Sequence, residues 1–193
     1  MNDMASIKLF MLMLGCTPKG RNTEQHDIYF TAANSIKDTV DEIREFWPEA
    51  NGRIHIDAWR EVNQVEQFAV EVIAKAPFAG AEPQPSKIKL FFINLGGYRE
   101  NEFDEFHYKM LVAARDKAAA IKVAKETAFY KHTGFSGAPS HIDDKFGVDV
   151  DDIYEIEDIL PKKIKKDFTI RLVPAESAEQ DRLHLGYFKL DEL

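Results

Sequence analysis

The chain has 193 residues, 45% hydrophobic and 30% charged, with a formal net charge of −8 and a pI near 5.3. That length builds one sizeable core or two small linked ones. The acidic balance argues against a general nucleic-acid binder, whose affinity comes from phosphate neutralisation, and the single Cys16 excludes an internal disulfide framework and fits a reducing compartment.

Residues 1–6 read as a loose start. Lys8–Gly15 is an apolar run of strand length, suited to a strand buried on both faces. With Cys16 it imitates a secretory segment ending in Gly-Cys. The residues before it are poor in positive charge and carry Asp3, and the run is shorter than the ~20 residues of a membrane span. A near copy, Leu90–Gly97, lies mid-chain, so the expectation is a cytoplasmic protein with no membrane partner. Cys16–Gln25 is polar and holds Pro18 and Gly20, which marks a loop. His26–Ala33 reads as a second strand. A helix is expected next, capped by Ser35, with Ile36, Val40, Ile43 and Trp47 on one stripe and Pro48 ending it. Arg53–Val62 and Phe68–Ala74 read as third and fourth strands.

Shifting the sequence by 81 residues lays Ile88–Ala114 over Ile7–Ala33 with 10 identities in 27 positions. Leu14-Gly15 falls over Leu95-Gly96, Glu24 over Glu105 and His26 over His107. Asp116 replaces Ser35 as the cap, and Ile121, Ala124 and Ala128 form the second apolar stripe. His55-Ile56-Asp57 matches His141-Ile142-Asp143 after a gap of 5 residues, so Ser140–Asp144 is the expected third strand of the second copy, with Phe168–Val173 as its fourth. Asp149–Leu160 reads as an acidic strand, with Asp149–Asp152 as a solvated turn that lacks the features of a calcium loop. Lys162–Lys166 reads as a solvated basic loop, and Leu183–Leu190 as a final strand.

The fold expected is α+β: two β-β-α-β-β units, each a mixed sheet with one helix on a face, related by pseudo-twofold symmetry. The domains are 1–75 (first repeat), 76–87 (Pro-rich linker), 88–175 (second repeat) and 176–193 (C-terminal link and extra strand), joined as one compact unit. Residues Lys8–Asp27, His55–Val62, Phe91–Tyr98, Phe129–Gly134 and His141–Asp144 resemble the bacterial family catalogued as domain of unknown function 1543. The resemblance covers most of residues 7–190. It implies a bacterial cytoplasmic protein and no particular activity, so it supplies no catalytic residues.

The expected topology gathers the loop Gly15–Asp27, the pair Glu24/His26 and the pair His55/Asp57 at one sheet edge, because residues two apart on a strand share a face. The second copy offers Glu105/His107 and His141/Asp143. Imidazole and carboxylate together suit Zn, Mn or Fe, so these eight residues are the candidate metal ligands, and a divalent metal is the one cofactor the sequence suggests. The commoner alternative is a set of structural polar pairs at strand edges. Lys109 shares a face with His107, which marks that face as partly wet. Cys16, Lys19, Arg21 and Asn22 form a candidate small-ligand or anion site. The loop nearly spells a P-loop but precedes a strand rather than a helix, which argues against nucleotide hydrolysis. Lys19 and Arg21 are placed to lower the Cys16 thiol pKa, with His26 as a base, against the ordinary reading of a small buried cysteine. The favoured function is binding of a small molecule, anion or metal at this edge. The alternative is an interaction module that forms a homo-oligomer through sheet edges. Whether the chain is an enzyme stays open.

Overall fold

The computed structural model describes residues 7–75, 87–98, 101, 103–132, 148–175 and 180–193. In chain order the strands and helices are β1 (Lys8–Cys16), β2 (Gln25–Ala33), α1 (Val40–Phe46), β3 (His55–Glu61), β4 (Gln64–Val65), β5 (Phe68–Ala74), β6 (Lys89–Tyr98), β7 (Glu105–Ala114), α2 (Lys117–His132), β8 (Val148–Glu155), α3 (Ile156–Ile159), α4 (Lys162–Asp167), β9 (Phe168–Pro174) and β10 (His184–Lys189). Contacts divide the chain into two compact units, Met1–Glu82 with Leu160–Leu193, and Pro83–Ile159. None of the described helices is long and apolar enough to cross a membrane.

The first unit is built around β1. Its apolar run has a partner on both sides, β2 and β3, and the sheet order is β10-β3-β1-β2. Phe10, Leu12, Leu14 and Cys16 alternate onto one face and pack with Tyr29, Ile43, Ile54 and Ile56. Each fully buried large side chain here contributes about 1.5–3 kcal/mol. Every neighbouring pair in this sheet is antiparallel, which corrects the expected mixed sheet. β2 and β3 do run the same way, but β1 lies between them, so the crossover through α1 never makes a parallel ladder.

The helix is also shorter than its stripe suggested. Ile36–Thr39 is a 3-10 turn, α1 follows, and Pro48–Ala50 forms a second 3-10 turn. Ser35 makes no cap to the backbone; its hydroxyl donates to Asp38 Oδ2 at 2.8 Å. A second sheet, β4-β5-β9, completes the unit. Phe168–Pro174 pairs with the whole of β5, with Glu71 opposite Arg171 and an ion pair of 2.6 Å between them. The basic stretch expected as a loop is α4, because Ile164 turns inward and is buried.

In the second unit β6 is central, in the order β7-β6-β8, again antiparallel throughout. Asp116 caps α2: its Oδ1 accepts the Ala119 N–H at 2.8 Å. Among its described side chains α2 buries Ala120 and Ala124; Ala124 is where the stripe was expected, while Ala120 takes the place of Ile121. Ser140–Asp144, and with it His141 and Asp143, lies outside the described residues. The strand beside β6 is β8. It ends at Glu155, where Ile156 opens a helical turn, so the acidic segment is a strand and then a helix.

The registers of the two units can be compared directly. β1 and β2 pair from Lys8↔Ala33 to Cys16↔Gln25, and β6 and β7 from Lys89↔Ala114 to Tyr98↔Glu105. Gly15 stands between His26 and His55; Gly96 stands between His107 and Asp149. The β1–β3 register slips between Met13 and Leu14, and the β6–β8 register between Asn94 and Leu95. An ion pair closes the far end of each, Lys8–Glu61 at 2.7 Å and Lys89–Glu155 at 2.8 Å.

Candidate metal centre

The site in the first unit follows from one missing side chain. Gly15 on β1 pairs with His26 on one side and His55 on the other. A Cβ at Gly15 would collide with Asp57 Oδ2 and lie 2.6 Å from His55 Nε2. Glycine therefore leaves the space into which side chains from both flanking strands converge.

Four groups meet there. Glu24 Oε1 is 3.0 Å from His55 Nε2, and Asp57 Oδ1 is 3.2 Å from the same nitrogen. Asp57 Oδ2 is 3.2 Å from His26 Nε2, and Glu24 Oε2 is 3.6 Å from it. Each carboxylate thus spans both imidazoles. The His55 side chain is only 6% exposed, and its ring stacks on Tyr187 with centroids 4.1 Å apart. Despite the two nearby carboxylates, neither His55 nitrogen makes a hydrogen bond, nor does the buried Asp57 Oδ2. The oxygens lie close to Nε2 but off the line a hydrogen bond requires. A buried polar atom left in this way costs about 1–3 kcal/mol.

The donor set fits a divalent cation. With neutral imidazoles the two carboxylates sum to −2, the charge such an ion cancels. A tetrahedral ion with bonds of about 2.0–2.2 Å holds adjacent ligand atoms about 3.3–3.6 Å apart, close to the separations around the ring.

The second unit repeats the floor with different walls. A Cβ at Gly96 would collide with Asp151 Oδ2 and sit 2.7 Å from its Cγ. His107 Nε2 is 3.3 Å from Asp151 Oδ2 and 3.9 Å from Glu105 Oε2. Donor atoms of Glu105, His107 and Asp151 all lie within 4.8 Å of one another, and all three residues are exposed. The position facing Gly96 is Asp149 where the first unit has His55, and the His107 side chain is 36% exposed.

The sequence-predicted residues divide accordingly. Glu24, His26, His55 and Asp57 come together, and so do Glu105 and His107. Among the described residues His107 is joined by Asp151, while the expected pair His141/Asp143 lies outside them; Asp149–Asp152 is strand rather than a solvated turn. Lys19, Arg21 and Asn22 are exposed on the loop after β1 and line no part of the cleft beside His55. Cys16 is fully buried in the α1-side core, in keeping with the ordinary reading of a small buried cysteine. Burial pushes its pKa up, Glu24 adds to this, and Arg53, not Lys19 or Arg21, opposes it. Sequence reasoning missed Asp151, Tyr187 and Arg53. The signal for Asp151 was present, since Gly96 repeats Gly15 and the acidic pair Asp149/Asp151 keeps the two-residue spacing of His55/Asp57.

No curated protein matches the sequence. Protein Il1583 from Idiomarina loihiensis, of known crystal structure, is similar in fold, with a TM-score of 0.60 at 19% identity over 95% of this chain and 97% of that one. Residues 21–72, which carry all four ring residues, match the family described as Domain of Unknown Function (DUF1543), and the chain resembles that family.

Proposed function

We propose that this is a divalent-metal-binding protein whose principal site is the ring Glu24, His26, His55 and Asp57. The observation that carries the reading is His55: a buried imidazole, fixed by Tyr187, with two carboxylates within 3.2 Å of a nitrogen that hydrogen-bonds to neither. Mixed nitrogen and oxygen donors suit Zn, Mn or Fe. The secondary site is Glu105, His107 and Asp151. The single cysteine supports a cytoplasmic setting, and the family resemblance supports a bacterial one. Descent of both units from one duplicated ancestor is supported by their shared registers, shared slips and matched ion pairs.

The test is metal uptake by chelator-stripped protein, read by elemental analysis and calorimetry with Zn and Mn. A tight equivalent is expected that His55→Ala and Asp57→Asn both remove while circular dichroism stays native. Wild-type protein that takes up no metal would end the proposal, as would His55→Ala protein that binds as tightly as wild type.

A second reading is favoured by β10, which lies at the edge of its sheet. Leu183, Leu185 and Tyr187 are all at least 60% exposed there, and an apolar open edge invites a second copy. Sedimentation across micromolar concentrations tests this: a strict monomer refutes it.

A further inference from the structure

We infer that the cleft beside the ring binds a small anion, a carboxylate or a phosphate, held by Arg53 and presented to the ion of the Glu24–His26–His55–Asp57 site. Its inner contact rests on the metal reading above.

The cleft has a volume of about 400 Å³ and is lined by Glu24, His55, Arg53, Arg44, Tyr187 and Lys189, among others. That size suits a small ligand. Glu24 and His55 belong to both ring and cleft, so the cleft opens directly onto the proposed ion. The protein carries −8 overall, whereas the cleft is lined by three cations, Arg44, Arg53 and Lys189, against two carboxylates, Glu24 and Asp191. Two of the cations are engaged: Arg44 Nη2 donates to Asp191 Oδ1 at 2.5 Å, and Lys189 Nζ donates to Glu192 Oε1 at 2.7 Å. Among the described residues the Arg53 side chain has no ion-pair or hydrogen-bond partner.

The backbone sets Arg53 in place. Asn51 N–H donates to the Pro48 carbonyl and Arg53 N–H to the Ala50 carbonyl, both at 3.0 Å. Asn51 and Gly52 take left-handed conformations, with φ of 49° and 75°. The turn brings the chain into β3 with Arg53 two residues before His55. The Arg53 charge reaches the end of β1, where it opposes the upward pull of burial on Cys16. A guanidinium presents paired N–H donors that match both oxygens of a carboxylate or two of a phosphate. An anion gripped by that fork can turn a remaining oxygen toward the ring, and the Tyr187 face stacked on His55 supplies an apolar wall.

The experiment uses the full chain loaded with Co²⁺, whose visible absorption reports a change of ligand. Acetate and inorganic phosphate are titrated separately into wild type, Arg53→Ala and Arg53→Lys. Saturable spectral change with one or both anions is expected, weakened about tenfold or more in Arg53→Ala, with Arg53→Lys between and cobalt content equal in all three. The anion with the tighter response names the chemistry. Equal binding by wild type and Arg53→Ala overturns the inference, and so does a cobalt-loaded protein that answers neither anion. If the chain takes up no cobalt, the metal reading fails by itself. Phosphate calorimetry on the metal-free protein then decides the cleft: Arg53-dependent heat upholds it, and its absence overturns it.

Discussion

Both units place a glycine at the same point of a central strand, but what closes over it differs. In the first, His55 is buried and held by an aromatic ring; in the second, Asp149 occupies that register position and the cluster is open to solvent. Under the proposed reading, the same backbone frames a protected cluster with two imidazoles in the first unit and an exposed one with a single imidazole in the second. Imidazole favours zinc and iron, whereas carboxylate sets suit manganese and magnesium. If both clusters hold ions, the residue at this one register position is expected to set metal preference.

The largest effect that can break this comparison is at the glycines. Gly15→Ala forces a methyl against the buried His55 ring, which is stacked and cannot withdraw. It is expected to cost about 1–3 kcal/mol of stability, as overpacking does, and to abolish metal uptake by the first unit. Gly96→Ala first meets the partly exposed Asp151 carboxylate, which can rotate away, so a loss below about 1 kcal/mol is expected. Differential scanning calorimetry compares them, and equal losses would mean that the two floors are not distinguished by His55.

Next comes His55→Asp, which gives the first unit the residue of the second. Zinc affinity is expected to fall on the order of 10–100-fold, with manganese affected less. Competitive calorimetry reads the ratio. Unchanged zinc preference would place the selectivity elsewhere. Tyr187→Ala is milder. It removes the stack on His55 and is expected to cost about 1 kcal/mol or less in stability, in keeping with an aromatic contact on a side chain that is 66% exposed, and to weaken the first site without touching the second.

Much of this arrangement was legible in the sequence, and the failures have physical causes. β1, β2 and β5 were readable because apolar runs and alternation are local. Glu24, His26, Glu105 and His107 were readable because they repeat at a fixed interval of 81. The partner strand of the second unit was not. The identical triplet His-Ile-Asp at 141–143 drew the alignment to a gap of 5, whereas Asp57 and Asp151 are 94 residues apart, which requires a gap of 13. Strand register is fixed by pairing with β6, and an exchange of His for Asp at the facing position hides it from residue matching. Arg53 was invisible for a different reason: its relation to His55 depends on the turn Pro48–Gly52 and on β10 closing the cleft from the other end of the chain.

The smallest effect concerns Lys109, which stands where the first unit has Ile28, 81 residues earlier. It shares the strand face of His107 and is half-buried, and burial lowers its pKa from the usual 10.5. A lowered lysine pKa means the folded protein disfavours the charged form. The associated stability is fully present only above the unfolded pKa and is lost as pH falls through the folded one. At neutral pH Lys109 is therefore a cost, so Lys109→Ile is expected to raise the melting temperature at pH 7. The gain is under about 1 kcal/mol, because the side chain keeps solvent contact that screens the charge, and it shrinks as pH climbs past 10. Removing the positive charge beside Glu105, His107 and Asp151 also favours a divalent ion there, so manganese binding by the second unit should tighten. A variant that is more stable but binds no better would make Lys109 a plain burial cost, while tighter binding would show that this lysine holds the second cluster below the first.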